Sequence, residues 1–85
     1  MARVVLTNTA RAELAALPVL AQESVRDCLD WLAIAPRGGY ALFGRLRGQR
    51  SIRVPGNYRI VYRIDGANDE RVVVRSIRHR SRAYL

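Results

Sequence analysis

Lysine is absent from this 85-residue chain: all 15 of its basic residues are arginine, and against seven acidic residues they leave a formal net charge of +8. Arginine keeps its proton at any relevant pH and offers a planar fork of donors that fits phosphate oxygens and stacks on bases, whereas lysine is a hydrated point charge. Genomic base composition alone can replace lysine on a solvated surface. It does not account for the excess of positive charge, which weakens self-association and draws in polyanions. The expected partner is a phosphodiester or a strongly acidic protein. Cysteine is nearly absent too. Cys28 stands alone, which excludes an intrachain disulfide or a cysteine-based metal cluster and fits a reducing compartment. No apolar run approaches the roughly 18 residues of a membrane span, and the opening MARVVLTNTA lacks the apolar region of a secretion signal. A soluble cytoplasmic protein with no membrane partner is expected. Aromatic residues make up only 7 %, so base stacking cannot carry much of any nucleic-acid binding.

What is present suits one small folded domain spanning residues 1–85. The apolar fraction of 49 % is ordinary, and the charged 26 % is interspersed with it rather than gathered in a tail. A chain this short hides only about 60–65 % of its unfolded surface, enough for one modest core.

Arg3 to Thr7 is a β-branched run and reads as a first strand. Thr7, Asn8 and Thr9 then offer N-cap side chains ahead of Ala10, Leu14 and Leu17 at helical spacing. Pro18 is placed as the first residue of a second helix, where its missing N–H costs nothing. Ala21, Val25, Cys28, Leu29 and Leu32 fall on one stripe, with Gln22, Glu23, Arg26, Asp27 and Asp30 on the wet side. Cys28 therefore reads as core rather than as a nucleophile. Trp31, beside the stripe, either closes the core edge or meets a partner. Pro36 and Gly38–Gly39 end the helix.

The remainder reads as three strands, Gln49 to Val54, Asn57 to Ile64 and Arg71 to Ile77, joined by Pro55-Gly56-Asn57 and by the Asp65–Asp69 turn. Tight turns imply antiparallel neighbours. In the middle strand Tyr58, Ile60, Tyr62 and Ile64 alternate with Arg59, Val61 and Arg63, one face apolar and the other largely cationic. Val72 to Val74 is continuous, as in a strand that is central in its sheet. The expected fold class is α+β, ordered β-α-α-β-β-β, with a helical hairpin packed on one face of a twisted antiparallel sheet.

The stretch from Gly44 to Tyr62 concentrates arginines at 45, 47, 50, 53 and 59 among residues suited to a sheet, and a tail reading RHRSRAY follows the last strand. With TARAELAAL after the first strand, then LRG, RIRV and GNYRIVYRID, and finally IRHRSRAY, the chain resembles the RelE/ParE superfamily of bacterial toxins, in its RelE branch. The resemblance covers nearly the whole sequence. It implies the toxic half of a type II toxin–antitoxin pair that cleaves messenger RNA on the ribosome and inhibits translation. By the same resemblance no metal or other cofactor takes part, and a ribose 2′-hydroxyl attacks the adjacent phosphate. Implied partners are a cognate antitoxin, the ribosome with its mRNA, and operator DNA only through the toxin–antitoxin complex.

Carried over by position, the resemblance implies catalytic roles for Arg53, Arg59, Arg80 and Tyr84, with Arg50, Ser51 and His79 as further candidates. Arg45, Arg47, Arg50, Ser51, Arg78 and Arg82 are the expected RNA-binding set. Pro55 adds a residue to the turn relative to the common pattern, which leaves the register of Arg50, Ser51 and Arg53 open, and the lysines found before the turn in Escherichia-type members are absent. Among these residues His79 is the only one whose type ordinarily titrates near neutrality, which makes it the first candidate for proton transfer. Flanking Arg78 and Arg80 disfavour an imidazolium, which suits a base better than an acid; a structural strand-end histidine is the alternative. Tyr84 either orients a hydroxyl, stacks on a base or acts as an acid, or else anchors the tail in the core. For any single arginine, Arg63 and Arg71 included, the plain reading is a solvated face or a weak surface pair. Two other functions remain compatible with the same fold: a ParE-like inhibitor of DNA gyrase without nuclease chemistry, and a catalytically degenerate toxin.

Overall fold

A computed structural model describes residues 1–84. Strand β1 (Arg3–Leu6) leads into α1 (Asn8–Ala15) and α2 (Val19–Ile34); β2 (Tyr40–Ala41), β3 (Arg50–Val54), β4 (Tyr58–Asp65) and β5 (Arg71–His79) follow, and a 3-10 turn, Arg80–Arg82, ends the described chain. The five strands form one sheet in the order β1-β5-β4-β3-β2. The two helices pack on it through Ala10, Val25, Leu29 and Leu32, which meet Val54, Ile60, Tyr62, Val72, Val74 and Ile77. The expected α+β architecture is therefore present. The sheet is mixed, however, because β1 runs parallel to β5 while the other neighbours are antiparallel. The two-residue β2 was also not foreseen, since nothing in Tyr40–Ala41 alternates long enough to signal a strand.

Local chemistry explains the helix boundaries. The Thr7 hydroxyl oxygen accepts from the Ala10 N–H at 3.1 Å, capping α1, and the same hydroxyl donates to the Arg75 carbonyl at 3.1 Å. At the far end of α1, the Gln22 side-chain amide donates to the carbonyls of Leu14 and Ala15. Gln22, expected on the wet side, thus reinforces the carbonyl end of α1, where the Leu14 carbonyl also accepts from the Leu17 N–H. Pro18 sits at the N-cap of α2, one residue earlier than expected. Burying a side chain such as Val25 or Leu32 completely contributes about 1.5–3 kcal/mol. Among the described residues no helix is long and apolar enough to cross a membrane.

One irregularity sets the orientation of everything after it. The pairing of β4 with β5 shifts from Val61 opposite Ser76 to Tyr62 opposite Val74, leaving Arg75 as an extra residue in β5. Strict alternation from Val72 and Val74 would send Ile77 to the open face. The bulge instead returns Ile77 to the core, opposite Ile60. The Arg75 carbonyl, displaced from regular pairing, is the one Thr7 engages.

Candidate functional site

On the face of the sheet away from the helices, neighbouring strands line up their polar residues in rows. Arg53 lies opposite Arg59, and Arg59 opposite Arg78. The next row holds Ser51, Val61 and Ser76. The β3–β4 connection is a three-residue loop, Pro55-Gly56-Asn57, closed by the Val54–Tyr58 pair, with Gly56 at φ 95° and Asn57 at φ 70°. Glycine and asparagine tolerate that left-handed backbone, so the loop closes with Arg53 directly opposite Arg59.

The chain's other end reaches the same place. The Arg80 N–H donates to the Asn57 carbonyl at 2.7 Å, tying the tail to the β3–β4 loop. As a result Arg53, Arg59 and Arg80 line one open cleft of about 390 Å³, together with Val54, Pro55, Gly56 and Asn57. Like charges directly opposite in a sheet are destabilising. In this row Arg78 is relieved by an ion pair with Glu13, and the Arg53 guanidinium lies 5.9 Å from the centre of the Tyr40 ring. Among the described residues no carboxylate pairs with Arg53, Arg59 or Arg80. Such a set of forked cations is arranged to take an anion with several oxygens.

The other candidates are distributed differently. Tyr84 does not line the cleft. Its hydroxyl donates to Ser51 Oγ at 3.0 Å, and its carbonyl accepts from Arg45 at 2.6 Å. Ser51 is buried beneath that contact, at 2 % exposure, while Tyr84 keeps 41 %. The tail is thus latched across the row of Ser51, Val61 and Ser76, one row from Arg53 and Arg59. Arg50 points to the helix side and donates to the carbonyls of Arg37 and Gly39, with its buried Nε lacking a partner. Arg47 borders a separate hollow with Phe43 and Gln49.

His79 lies on the opposite side from the cleft. It is the sheet partner of Tyr58, which packs against the core, and the two rings meet edge to face at 5.8 Å. Its Nδ1 accepts from the Ser81 N–H at 3.3 Å and lies 3.0 Å from the Ser81 hydroxyl, capping the Arg80–Arg82 turn. Accepting at Nδ1 leaves the proton of the neutral ring on Nε2. Arg82, Arg78 and His79 border a groove with Leu17, Tyr58 and Ile77 on the helix side. Cys28 packs against the core, and burial first, then the negative charge of Asp27, pushes its thiol above the ordinary range. That is the reverse of what activates a nucleophile.

The family model described as the ParE toxin of type II toxin–antitoxin systems matches residues 4–84. The chain belongs to the RelE/ParE superfamily of type II toxins. Structurally the toxin resembles a chain of the RelBE2 toxin–antitoxin complex from Mycobacterium tuberculosis, with 36 % identity over 93 % of this chain and 98 % of that one and a TM-score of 0.82. It shares its fold with a chain of the intact E. coli RelBE complex (19 % identity, 93 % and 96 % covered, TM-score 0.78). The same holds for the ParDE system of P. aeruginosa (16 %, 93 % and 96 %, 0.72). No curated protein matches the toxin at a significant level. Two residues that sequence reasoning did not single out, Asn57 and Tyr40, belong to this region. Asn57 carried only a turn signal, and Tyr40 lay in a segment with no periodicity to read.

Proposed function

We propose that the toxin is an mRNA endoribonuclease acting on translating ribosomes without a metal, and that the cleft of Arg53, Arg59 and Arg80 holds the scissile phosphate. The observation that carries this reading is the convergence of three arginines from two distant parts of the chain, none paired with a described carboxylate. In the reaction the ribose 2′-oxygen forms a bond to phosphorus and the bond to the 5′-oxygen breaks, giving a 2′,3′-cyclic phosphate and a 5′-hydroxyl. Negative charge grows on the nonbridging oxygens, where fixed guanidinium donors stabilise it most. Arginine does not serve as a base near neutrality. No imidazole or carboxylate lines the cleft among the described residues, so the 2′-proton passes to water or to a ribosomal group, and the leaving oxygen takes a proton from the same surroundings. Such a division of labour fits an enzyme that works only on the ribosome. His79 and Tyr84 act as positioning residues, the first by capping the turn that carries Arg80 and the second by latching the tail to Ser51. Arg45 and Ser51 serve that latch, while Arg47 and Arg82 add salt-sensitive affinity for ribosomal RNA.

Relatives occur in toxin–antitoxin complexes; by the same reading a cognate antitoxin binds and silences this toxin in the cytoplasm, and the pair together contacts operator DNA. The deciding experiment incubates purified toxin with ribosomes translating a defined message and maps the new ends. Cuts within codons bearing 5′-hydroxyls, lost in the Arg59→Ala/Arg80→Ala variant, are expected. The ParE family model favours a second reading, inhibition of DNA gyrase. Intact message together with blocked DNA supercoiling selects it, and inertness in both assays marks a degenerate toxin.

A further inference from the structure

Tyr40 combines a solvated ring with a backbone that follows a closely packed, hydrogen-bonded segment. A two-residue edge strand is ordinarily loose, yet the residues before it are held from below. Arg50 donates to the Gly39 carbonyl at 2.7 Å, and the Gly39 N–H donates to the Tyr62 hydroxyl at 3.0 Å. That hydroxyl in turn donates to the Pro36 carbonyl at 2.8 Å, and Tyr62 itself is fully buried. A Cβ on Gly39 would stand 2.6 Å from the Tyr62 hydroxyl and 2.7 Å from the Ser51 carbonyl, so the backbone here is packed as closely as glycine allows. Despite that anchoring, Tyr40 is 66 % exposed. Pairing with Ser51 sets it on the face that carries Arg53 and Arg59. The Arg53 guanidinium covers one side of its ring. The exposure of Tyr40 shows that much of the ring remains open to solvent.

We propose that Tyr40 is a base-stacking platform that receives the nucleobase adjoining the phosphate held in the arginine cleft; the inference rests on the ribonuclease reading above. Arg53 connects the two subsites, because it lines the cleft and also lies over the ring. A nucleotide whose phosphate meets Arg53 has its base within reach of Tyr40. A rigid aromatic is suited to this, since little ordering entropy is lost when a base settles on it. The platform adds affinity without choosing a base, because every base offers a π-face. No hydrogen bond of the Tyr40 hydroxyl is seen among the described residues, so the ring alone does the work.

The test measures binding of the full-length toxin to a short single-stranded RNA, 2′-O-methylated to block cleavage and carrying 2-aminopurine, whose fluorescence falls on stacking. Tyr40→Ala is expected to weaken binding about 5- to 150-fold and to abolish the quenching. Tyr40→Phe retains both, and the melting temperature of either variant stays at the wild-type value. Equal affinity and quenching in Tyr40→Ala, with binding still weakened by Arg59→Ala, overturns the platform and leaves the RNA reading standing. Failure of the wild type to bind the RNA at all overturns the platform, whereas the ribonuclease reading falls only if message on translating ribosomes stays intact. Unchanged RNA binding by Tyr40→Ala with a weakened antitoxin complex overturns the platform in favour of a protein-contact surface.

Discussion

At the end of the sheet nearest the β3–β4 loop, two surfaces lie back to back and treat their polar groups in opposite ways. On the open face Arg53, Arg59 and Arg80 share a cleft without a described carboxylate. Toward the helix side most polar groups are occupied internally: Glu13 accepts from the Ile77 N–H and from Arg78, which reaches it from the end of the open-face row, and His79 accepts from Ser81. Leu17, Tyr58 and Ile77 give the groove there its apolar lining, and Arg82 borders it. The difference separates charge that is uncommitted, and therefore free to meet a ligand, from charge already used to hold elements together. Proximity in sequence does not sort the two kinds. His79 and Arg80 are neighbours, and they serve different surfaces.

The largest effect that sharpens this contrast is expected in the cleft. Arg59→Ala combined with Arg80→Ala should lower cleavage on translating ribosomes by at least about 100-fold, the loss typical of removing a donor to developing negative charge. Thermal melting should be unaffected, and a lowered melting temperature with cleavage retained would break the comparison. On the other surface the order reverses. Glu13→Ala leaves the Ile77 N–H and the Arg78 guanidinium without their carboxylate and should cost about 1–3 kcal/mol of stability. For a chain of this size each kcal/mol corresponds to a melting temperature lower by about 4–8 °C, while cleavage per folded molecule should persist.

His79→Ala is the sharper probe, although its effect is smaller. It removes the edge-to-face contact with Tyr58, worth about 0.5–1.5 kcal/mol beyond burial, and the cap on the Arg80–Arg82 turn. A modest loss of stability is expected by thermal melting, and, because the capped turn carries Arg80, a fall in cleavage of less than about tenfold by end mapping. Loss of cleavage by about 100-fold or more at unchanged stability is the signature of proton transfer and would place the histidine in the chemistry after all.

The smallest effect belongs to neither surface. In the β4–β5 turn region, the hydrogen bond and charge of Arg71, aided by Arg63, hold the Asp65 carboxyl below its ordinary range. A depressed carboxyl stabilises the fold above its unfolded value, about 4, and that contribution disappears as pH falls through the lower folded value. A drop in melting temperature on acidification from about pH 5 to pH 2 is expected, slightly smaller in Asp65→Asn.

Much of the fold was legible because the signals are local. Thr7 caps a helix where a threonine before an apolar repeat should, and the Val25, Leu29 and Leu32 stripe is buried as its spacing requires. The alternation in β4 placed Ile60 and Tyr62 inward and Arg59 outward. The parallel docking of β1 was not legible, since pairing between chain-distant strands leaves no mark in either one. Nor was the role of Arg50: it looks like its neighbouring arginines but lies on the helix side of β3, where carbonyls of the preceding loop take its fork.

Sequence by itself determined an arginine-only basic surface, the order of helices and strands, and a charged strand face opposite an apolar one, because charge and periodicity belong to residues and their near neighbours. Tertiary structure alone decided which arginines meet. The hydrogen bond from Arg80 to Asn57 joins residues 23 positions apart, and the extra residue at Arg75 reverses the alternation beyond it. That single-residue slip puts Ile77 in the core and His79 on the helix side, since in a strand of period two one added residue exchanges the faces of all that follow.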